Sequence, residues 1–123
     1  MTRKLGFPAH VADLIFHRDG GCCARCALGL SRARRGVDWA IHHRRPRGAG
    51  GVGKRSPWVN LPANGVCLCN ACHAWAEANR GEALATGWLV SALGIPRPAE
   101  VPILHARLGY VRLQDDGGWE LAA

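Results

Sequence analysis

The chain has 123 residues, which suits one domain with a modest core, and we treat residues 1–123 as a single domain. Its formal net charge is +7. The N-terminus lacks the apolar run of a signal peptide and no stretch reaches membrane-span length, so we expect a cytoplasmic protein with no membrane partner. In that reducing compartment the six cysteines favour metal binding, with disulfides as the alternative.

The charge is unevenly distributed. Residues 1–80 hold 13 of the 16 Lys and Arg but 4 of the 9 acidic residues, a net charge of +9, whereas residues 81–123 have a net charge of −2. Such a basic region attracts a polyanion, and duplex DNA is the partner we expect. The alternative is a basic surface without a specific partner. The basic residues that flank the histidine doublet at 42–43 are Arg32, Arg34, Arg35, Arg44, Arg45, Arg47, Lys54 and Arg55.

The first predicted element is a helix over residues 8–19. Val11, Leu14 and Ile15 recur at helical spacing, Pro8 suits the first turn, and a glycine pair at 20–21 suits the end. Strands are predicted over 37–42 and 65–68, separated by a long loop rich in Gly, Arg and Pro. A second helix is predicted over 70–79, with Asn70 as its cap. The pattern is therefore helix, strand, loop, strand, helix.

The chain beyond residue 80 is less clear. Residues 83–93 fit either a helix or a strand. Residues 110–113 and 119–121 flank an Asp-Asp-Gly-Gly sequence and predict a hairpin. His10, His17 and His105 have no partner at ligand spacing, so we expect ordinary surface or helix residues there.

Two CxxC units are typical of a tetrahedral zinc site, because each pair of thiolates can occupy one edge of the tetrahedron. The neighbouring Cys22 and Cys67 are the alternatives, but spacing favours Cys23 over Cys22, and Cys67 fits a buried small residue. A site filled by four thiolates leaves His42, His43 and His73 unused. These imidazoles predict a second, separate metal centre. The predicted zinc ligands are Cys23, Cys26, Cys69 and Cys72.

In this order and spacing, the residues resemble HNH endonucleases of the ββα-metal (His-Me finger) fold, in the small four-cysteine zinc subtype often encoded by bacteriophages. The resemblance is carried by the CxxC units, by Ile41-His42-His43-Arg44, by Asn64, and by Cys72-His73. It implies an α+β fold whose zinc-stapled core spans residues 8–80 and begins with the N-terminal helix. An extension over 81–123, containing the β-hairpin, is expected to pack on that core.

The resemblance also implies roles for individual residues. His43 would be the general base, and Asn64 would hydrogen bond across the loop to fix the strand that carries it. Asn60 is the other candidate for the family asparagine, but Asn64 has the better spacing. His42 and His73 would hold one catalytic Mg²⁺, Mn²⁺ or Ni²⁺ against the scissile phosphate. The basic residues expected to bind DNA are Arg44, Arg45, Arg47, Lys54 and Arg55.

Two points about this site stay open in the sequence. Glu77 lies one helical turn after His73 and is either a further metal ligand or a solvated acid on the helix face. Adjacent strand residues face opposite sides, so His42 and His43 can serve one phosphate only if the strand is irregular there or the phosphate bridges the strand edge. We predict irregular pairing at the doublet.

The predicted function is therefore a metal-dependent endonuclease that nicks or cuts duplex DNA. The alternative is a zinc-stapled DNA-binding module without catalysis. By analogy with the family, a role beside phage terminase or packaging proteins is a further prediction, and the chain would then act in the host cytoplasm. Both a monomer and a homodimer are compatible with the sequence.

Overall fold

The computed structural model describes residues 6–46, 58–91 and 96–122. These residues form an α+β structure with three α-helices and two antiparallel sheets, and none of the described helices has the length and hydropathy needed to cross a bilayer. In chain order the elements are α1 (Ala9–Arg18), β1 (Trp39–His43), β2 (Gly65–Cys69), α2 (Asn70–Ala78), α3 (Arg80–Ala85), β3 (Ile103–His105), β4 (Gly109–Leu113) and β5 (Trp119–Leu121).

Helix α1 confirms the first predicted element to within a residue at each end. Val11 and Ile15 are buried on its inner face, as the helical spacing required. Gly20 and Gly21 follow with φ angles of +70° and +69°, a left-handed conformation that ends a helix and that glycine adopts without strain. The chain thereby turns into the first CxxC unit.

Strands β1 and β2 form a regular antiparallel pair. The register runs from Trp39 opposite Cys69 to His43 opposite Gly65 without interruption. The predicted irregular pairing at the histidine doublet is therefore wrong. Alternation along an uninterrupted strand directs the side chains of His42 and His43 to opposite faces. Among the described residues this sheet has two strands, and on the other edge of β1 Arg35 makes an isolated bridge to Trp39.

Strand β2 is buried along its whole length because both of its faces are covered. One face packs against α1 in a cluster that we call the α1 core, formed by Phe7, Val11, Ala12, Ile15, Trp39, Ile41 and Cys67. On the other face Val66 and Leu68 join the main core, which the first CxxC segment, α2 and the C-terminal sheet complete. Burial on two faces explains why β2 is apolar throughout rather than alternating.

Helix α2 follows β2 directly and confirms the predicted helix over 70–79 to within one residue. The predicted capping role of Asn70 is wrong. Its side-chain Nδ2 donates to the carbonyl oxygen of Val37 at 2.8 Å, and the capping position is occupied by Cys69, which makes no side-chain cap hydrogen bond. Asn70 therefore ties the start of α2 to the chain just before β1.

The C-terminal region contains one element that the sequence pattern did not reveal. The predicted hairpin is confirmed as β4 and β5, with Leu113 opposite Trp119. Strand β3 was not predicted, and it pairs with β4 to make a sheet of order β3-β4-β5. In the ambiguous stretch 83–93, α3 ends at Ala85, and residues 88–90 are buried without regular structure.

His105 is not the ordinary surface or helix residue that we expected. It is 2% exposed on β3, and its Nε2 donates to the Asp19 carboxylate at 3.0 Å. Asp19 also accepts from Arg18 and from the backbone N–H of Cys67. This buried polar network joins the end of α1, the middle of β2 and the C-terminal sheet.

Candidate functional site

The four predicted zinc ligands come together in space. The Sγ atoms of the two CxxC pairs all lie within 4.8 Å of one another, and all six cysteines are free of disulfides. The sulfurs of Cys26 and Cys69 are 3.8 Å apart. In a tetrahedral site with Zn–S bonds of about 2.3 Å, neighbouring sulfurs lie about 3.8 Å apart. The cluster of Cys23, Cys26, Cys69 and Cys72 could therefore hold a metal ion such as zinc.

The first CxxC unit is shaped by a tight turn. The backbone N–H of Cys23 donates to Leu28 O at 2.7 Å, that of Ala27 donates to Cys23 O at 2.8 Å, and Ala27 adopts a φ of +66°. Burial opposes ionisation of Cys23, but hydrogen bonds, first among them the one from the Cys69 N–H, outweigh it and hold the pKa of its thiol below the usual value. Ionised sulfur is the form that binds a metal.

The two remaining cysteines lie outside this cluster. Cys22 is half-buried, and its Sγ donates to Gly20 O at 3.5 Å. Cys67 is fully buried on the α1 face of β2, where burial raises the pKa of its thiol. Cys23 rather than Cys22 therefore belongs to the cluster, as the spacing predicted, and the assignment of Cys67 to the core is confirmed.

A second site lies between β1 and helix α2. Here the described residues line a groove of about 220 Å³, whose walls include His42, His43, Pro46, His73, Glu77 and Leu89. The imidazole rings of His42 and His73 meet edge to face with their centroids 5.3 Å apart. Although His42 and His43 point to opposite faces of β1, both reach this groove. The doublet therefore shares one groove with His73 despite the regular strand.

His42 is held in one orientation by the chain that follows α3. Its Nε2 donates to the backbone carbonyl of Trp88 at 2.8 Å, which leaves Nδ1 as the nitrogen with a lone pair. Burial is the main cause that lowers the pKa of His42 to about 4, with the neighbouring His73, His43 and Arg44 adding to it. The ring is therefore neutral at physiological pH, the form in which imidazole binds a metal.

His43 faces the other side of β1, and the groups that hold its ring include Phe7 and Asn60. Its ring stacks on the ring of Phe7, with centroids 4.2 Å apart and an angle of 15° between the planes. Its Nε2 donates to the side-chain oxygen of Asn60 at 2.8 Å. Asn60 was set aside in favour of Asn64 on sequence spacing, yet it is the asparagine that contacts His43.

Asn64 hydrogen bonds across the loop, as its expected role requires. It is fully buried, its Oδ1 accepts from the backbone N–H of Arg45 at 2.8 Å, and its Nδ2 donates to Arg45 O and Val59 O. These bonds tie the residues just after β1 to the turn at 58–60. The catalytic consequence of this tie stays a prediction.

The predicted ligands of the catalytic metal are less tightly grouped than the cysteines. Of the His, Cys, Asp and Glu residues that the structure describes, only the four cysteines bring three or more ligand atoms within 4.8 Å of one another. Glu77 lines the groove, but it is exposed and lies 3.5 Å from Arg80 in an ion pair. Its role as a ligand stays a prediction, and so does the shared ion between His42 and His73.

Arg44, a predicted DNA contact, is turned into the protein in this structure. Its side chain is fully buried, and its guanidinium donates to four backbone carbonyls, those of Ala63, Gly87, Pro98 and Val101. Burial lowers the pKa of Arg44 to about 9, so it remains charged at neutral pH. Arg44 thus joins the loops behind the groove through these hydrogen bonds.

Arg45 is also turned into the protein. It is 3% exposed, it hydrogen bonds to the carbonyl of Pro96, and its guanidinium lies 5.0 Å from the ring centre of Trp58. The prediction that it contacts DNA is therefore wrong for this conformation. The other predicted DNA contacts, Arg47, Lys54 and Arg55, lie outside the described residues.

The sequence did not reveal two contacts at the groove. One is that of Asn60, which the sequence offered only as the alternative family asparagine, with His43, a residue 17 positions earlier. The other is that of the Trp88 carbonyl, a group which every residue type carries and which no sequence pattern can reveal. Both contacts depend on chain segments brought together by tertiary packing.

No family model, curated protein or solved structure matches this chain. The resemblance to HNH endonucleases therefore rests on the residues that carry it. The chemistry of the groove has to be inferred from its own geometry.

Proposed function

We propose that this protein is a metal-dependent endonuclease of the HNH type that hydrolyses phosphodiester bonds in DNA. The observation that carries the proposal is the meeting of His42 and His73 in a groove that His43 also enters. The order of the elements supports it, since a β1–β2 pair followed directly by α2 is the succession expected of a ββα-metal core. In the same proposal, the four-cysteine cluster holds a structural zinc ion.

Hydrolysis of a phosphodiester requires a base for water, a positive charge near the phosphate and a fixed arrangement of both. His43 is the proposed base, because an imidazole can take a proton from water at physiological pH. His42 and His73 are the proposed ligands of a divalent ion, with Glu77 as a candidate third ligand. When bound, Mg²⁺, Mn²⁺ or Ni²⁺ would neutralise charge that develops on the phosphate and the leaving oxygen.

The proposed substrate is DNA because of the chain's charge. The net charge of +7 arises from an excess of basic residues in residues 1–80, the part of the chain that carries His42, His43 and His73. Since Arg44 and Arg45 are committed to internal contacts, Arg47, Lys54 and Arg55 are the proposed phosphate contacts that remain. Binding through such contacts weakens as the salt concentration rises, because the release of counterions from DNA then contributes less free energy to binding.

The test is a plasmid-nicking assay with Mg²⁺, Mn²⁺ or Ni²⁺ supplied separately. We expect His43→Ala to lower the cleavage rate by about 100-fold or more, the usual contribution of a general base. His73→Ala is expected to abolish the cleavage that the added ion supports, because the ion loses a proposed ligand. The matched control is His17→Ala, because His17 and His73 are both exposed histidines on helices. Equal cutting by wild type and His43→Ala contradicts the proposal.

Two observations favour a second function, a zinc-stapled module that binds DNA without cutting it. The strand pairing at His42 and His43 is regular, and the described residues of the groove do not gather three ligand atoms as closely as the cysteine cluster does. Such a module would shift DNA in a gel, and this binding would weaken with salt, but it would leave plasmid intact with every metal tested. Metal-dependent nicking that requires His43 excludes it.

A further inference from the structure

The contacts that constrain the ring of His43 include two of different kinds. Phe7 is buried in the α1 core and stacks face to face on the imidazole, so it restricts tilting of the ring. Asn60 accepts a hydrogen bond from Nε2 at 2.8 Å, so it favours one of the two ring orientations that a half-turn about the Cβ–Cγ bond interchanges. Stacking does not distinguish these two orientations, because both keep the ring in the same plane.

Asn60 is itself held in place from behind. It belongs to a turn at 58–60 in which the N–H of Leu61 donates to Trp58 O at 3.1 Å. The Nδ2 of Asn64 donates to Val59 O at 2.9 Å, and Asn64 is tied on its other side to Arg45. The two asparagines therefore act in series: Asn64 anchors the turn, and the turn presents Asn60 to His43.

We propose that Asn60 is a positioning residue for His43, an inference that rests on the proposed function. The amide oxygen of Asn60 is only an acceptor, so it selects the tautomer with hydrogen on Nε2 and leaves the lone pair on Nδ1. A general base works only if the nitrogen that carries the lone pair faces the reacting water. Asn60 fixes both the orientation of the ring and the identity of that nitrogen.

The test compares Asn60→Leu, which keeps the size but removes the acceptor, with Asn60→Asp, which keeps an acceptor oxygen. We expect Asn60→Leu to lower kcat by about 10- to 100-fold, part of what a general base contributes, with KM unchanged. Asn60→Asp should restore most of kcat. The matched control is Asn79→Leu. Asn79 is half-buried like Asn60, but its side chain donates to the backbone carbonyl of Trp75 instead of accepting from a histidine.

A second readout does not depend on cleavage. Nitrogen NMR of the zinc-loaded full chain should show His43 with hydrogen on Nε2 in the wild type and in Asn60→Asp, and a changed tautomer balance in Asn60→Leu. Hydrogen on Nδ1 in the wild type, or unchanged kcat in Asn60→Leu, overturns the proposal. A wild type that cuts no DNA overturns the proposed function, whereas the nitrogen spectrum still decides whether Asn60 holds the ring.

Discussion

The polar side chains around the histidines mostly bind the protein itself. Arg44 donates to carbonyls from three separate segments of the chain, and Asn64 links the end of β1 to the turn before β2. A buried cation without a carboxylate partner is stable only when its donors are satisfied in this way. At the scale of single residues, basic character near a groove is therefore a poor guide to DNA contact. Burial decides whether such a side chain meets phosphate.

Asp19 provides a prediction about pH. Burial disfavours its charged form, but Arg18, His105 and the N–H of Cys67 outweigh burial and hold the pKa of Asp19 below its usual value. A carboxyl group whose pKa is lowered on folding stabilises the protein above its unfolded pKa of about 4, and this stabilisation is lost as the pH falls through the lower folded value. We expect Asp19→Asn to cost about 3 kcal/mol at neutral pH, and the deficit to shrink below about pH 4.

Urea unfolding of the wild type and Asp19→Asn at a series of pH values measures this deficit. The control is Asp13→Asn, because Asp13 is exposed and its ion pair with Arg32 contributes little. A deficit for Asp19→Asn that stays constant into acid would show that the charge of Asp19 does not stabilise the fold.

At the scale of elements, the close approach of α1 to the β1–β2 pair places Phe7 against His43. Gly65 makes this approach possible. A Cβ at Gly65 would lie 2.6 Å from Ile15 Cδ1 and 2.8 Å from Phe7 Cζ. Since Gly65 is opposite His43 in the register, the packing of α1 and the position of the proposed base depend on the same residue.

We therefore expect Gly65→Ala to destabilise the protein by about 1–3 kcal/mol, because the added methyl group forces apart well-packed side chains. Thermal unfolding of the zinc-loaded chain measures the change. Gly29→Ala is the control, since a Cβ at Gly29 meets nothing within 4 Å. If both variants unfold at the wild-type temperature, α1 can shift without cost and the packing argument is wrong.

At the scale of the whole molecule, the cysteine cluster joins parts of the chain that are far apart in sequence. Cys23 and Ala24 are fully buried in the main core, and Ala24 hydrogen bonds both to Cys67 on β2 and to Ala106 after β3. Cys72 lies directly before His73 on α2. A metal bound by the cluster would therefore hold the first CxxC unit, α2 and the C-terminal sheet together.

We expect elemental analysis to find about one tightly bound zinc ion per chain. Removal of this zinc by a chelator should lower the unfolding temperature sharply, because the free energy of binding a structural zinc ion contributes to the stability of the fold. Cys69→Ala should lose the zinc. Cys22→Ser should keep it, since Cys22 lies outside the cluster. Zinc retained by Cys69→Ala, or lost from Cys22→Ser, would contradict the assignment of ligands.

Local pattern in the sequence determined most of the elements and the cysteine cluster. Helical spacing of Val11 and Ile15 located α1, and two CxxC units identified four cysteines that do converge. These signals are local, because helix period, turn residues and ligand spacing each act over a few positions. The sequence pattern did not predict strand β3, because this strand has three residues and forms by pairing with β4.

Only the tertiary structure decided which polar residues face the groove. The burial of Arg44, the bond between Asn60 and His43, and the regular pairing at the doublet all depend on segments that approach each other across long loops. A side chain's type states which hydrogen bonds it can make, but not which partner lies within reach. Packing of α1 and the C-terminal sheet on β2 sets those distances, and through them the chemistry open to each histidine.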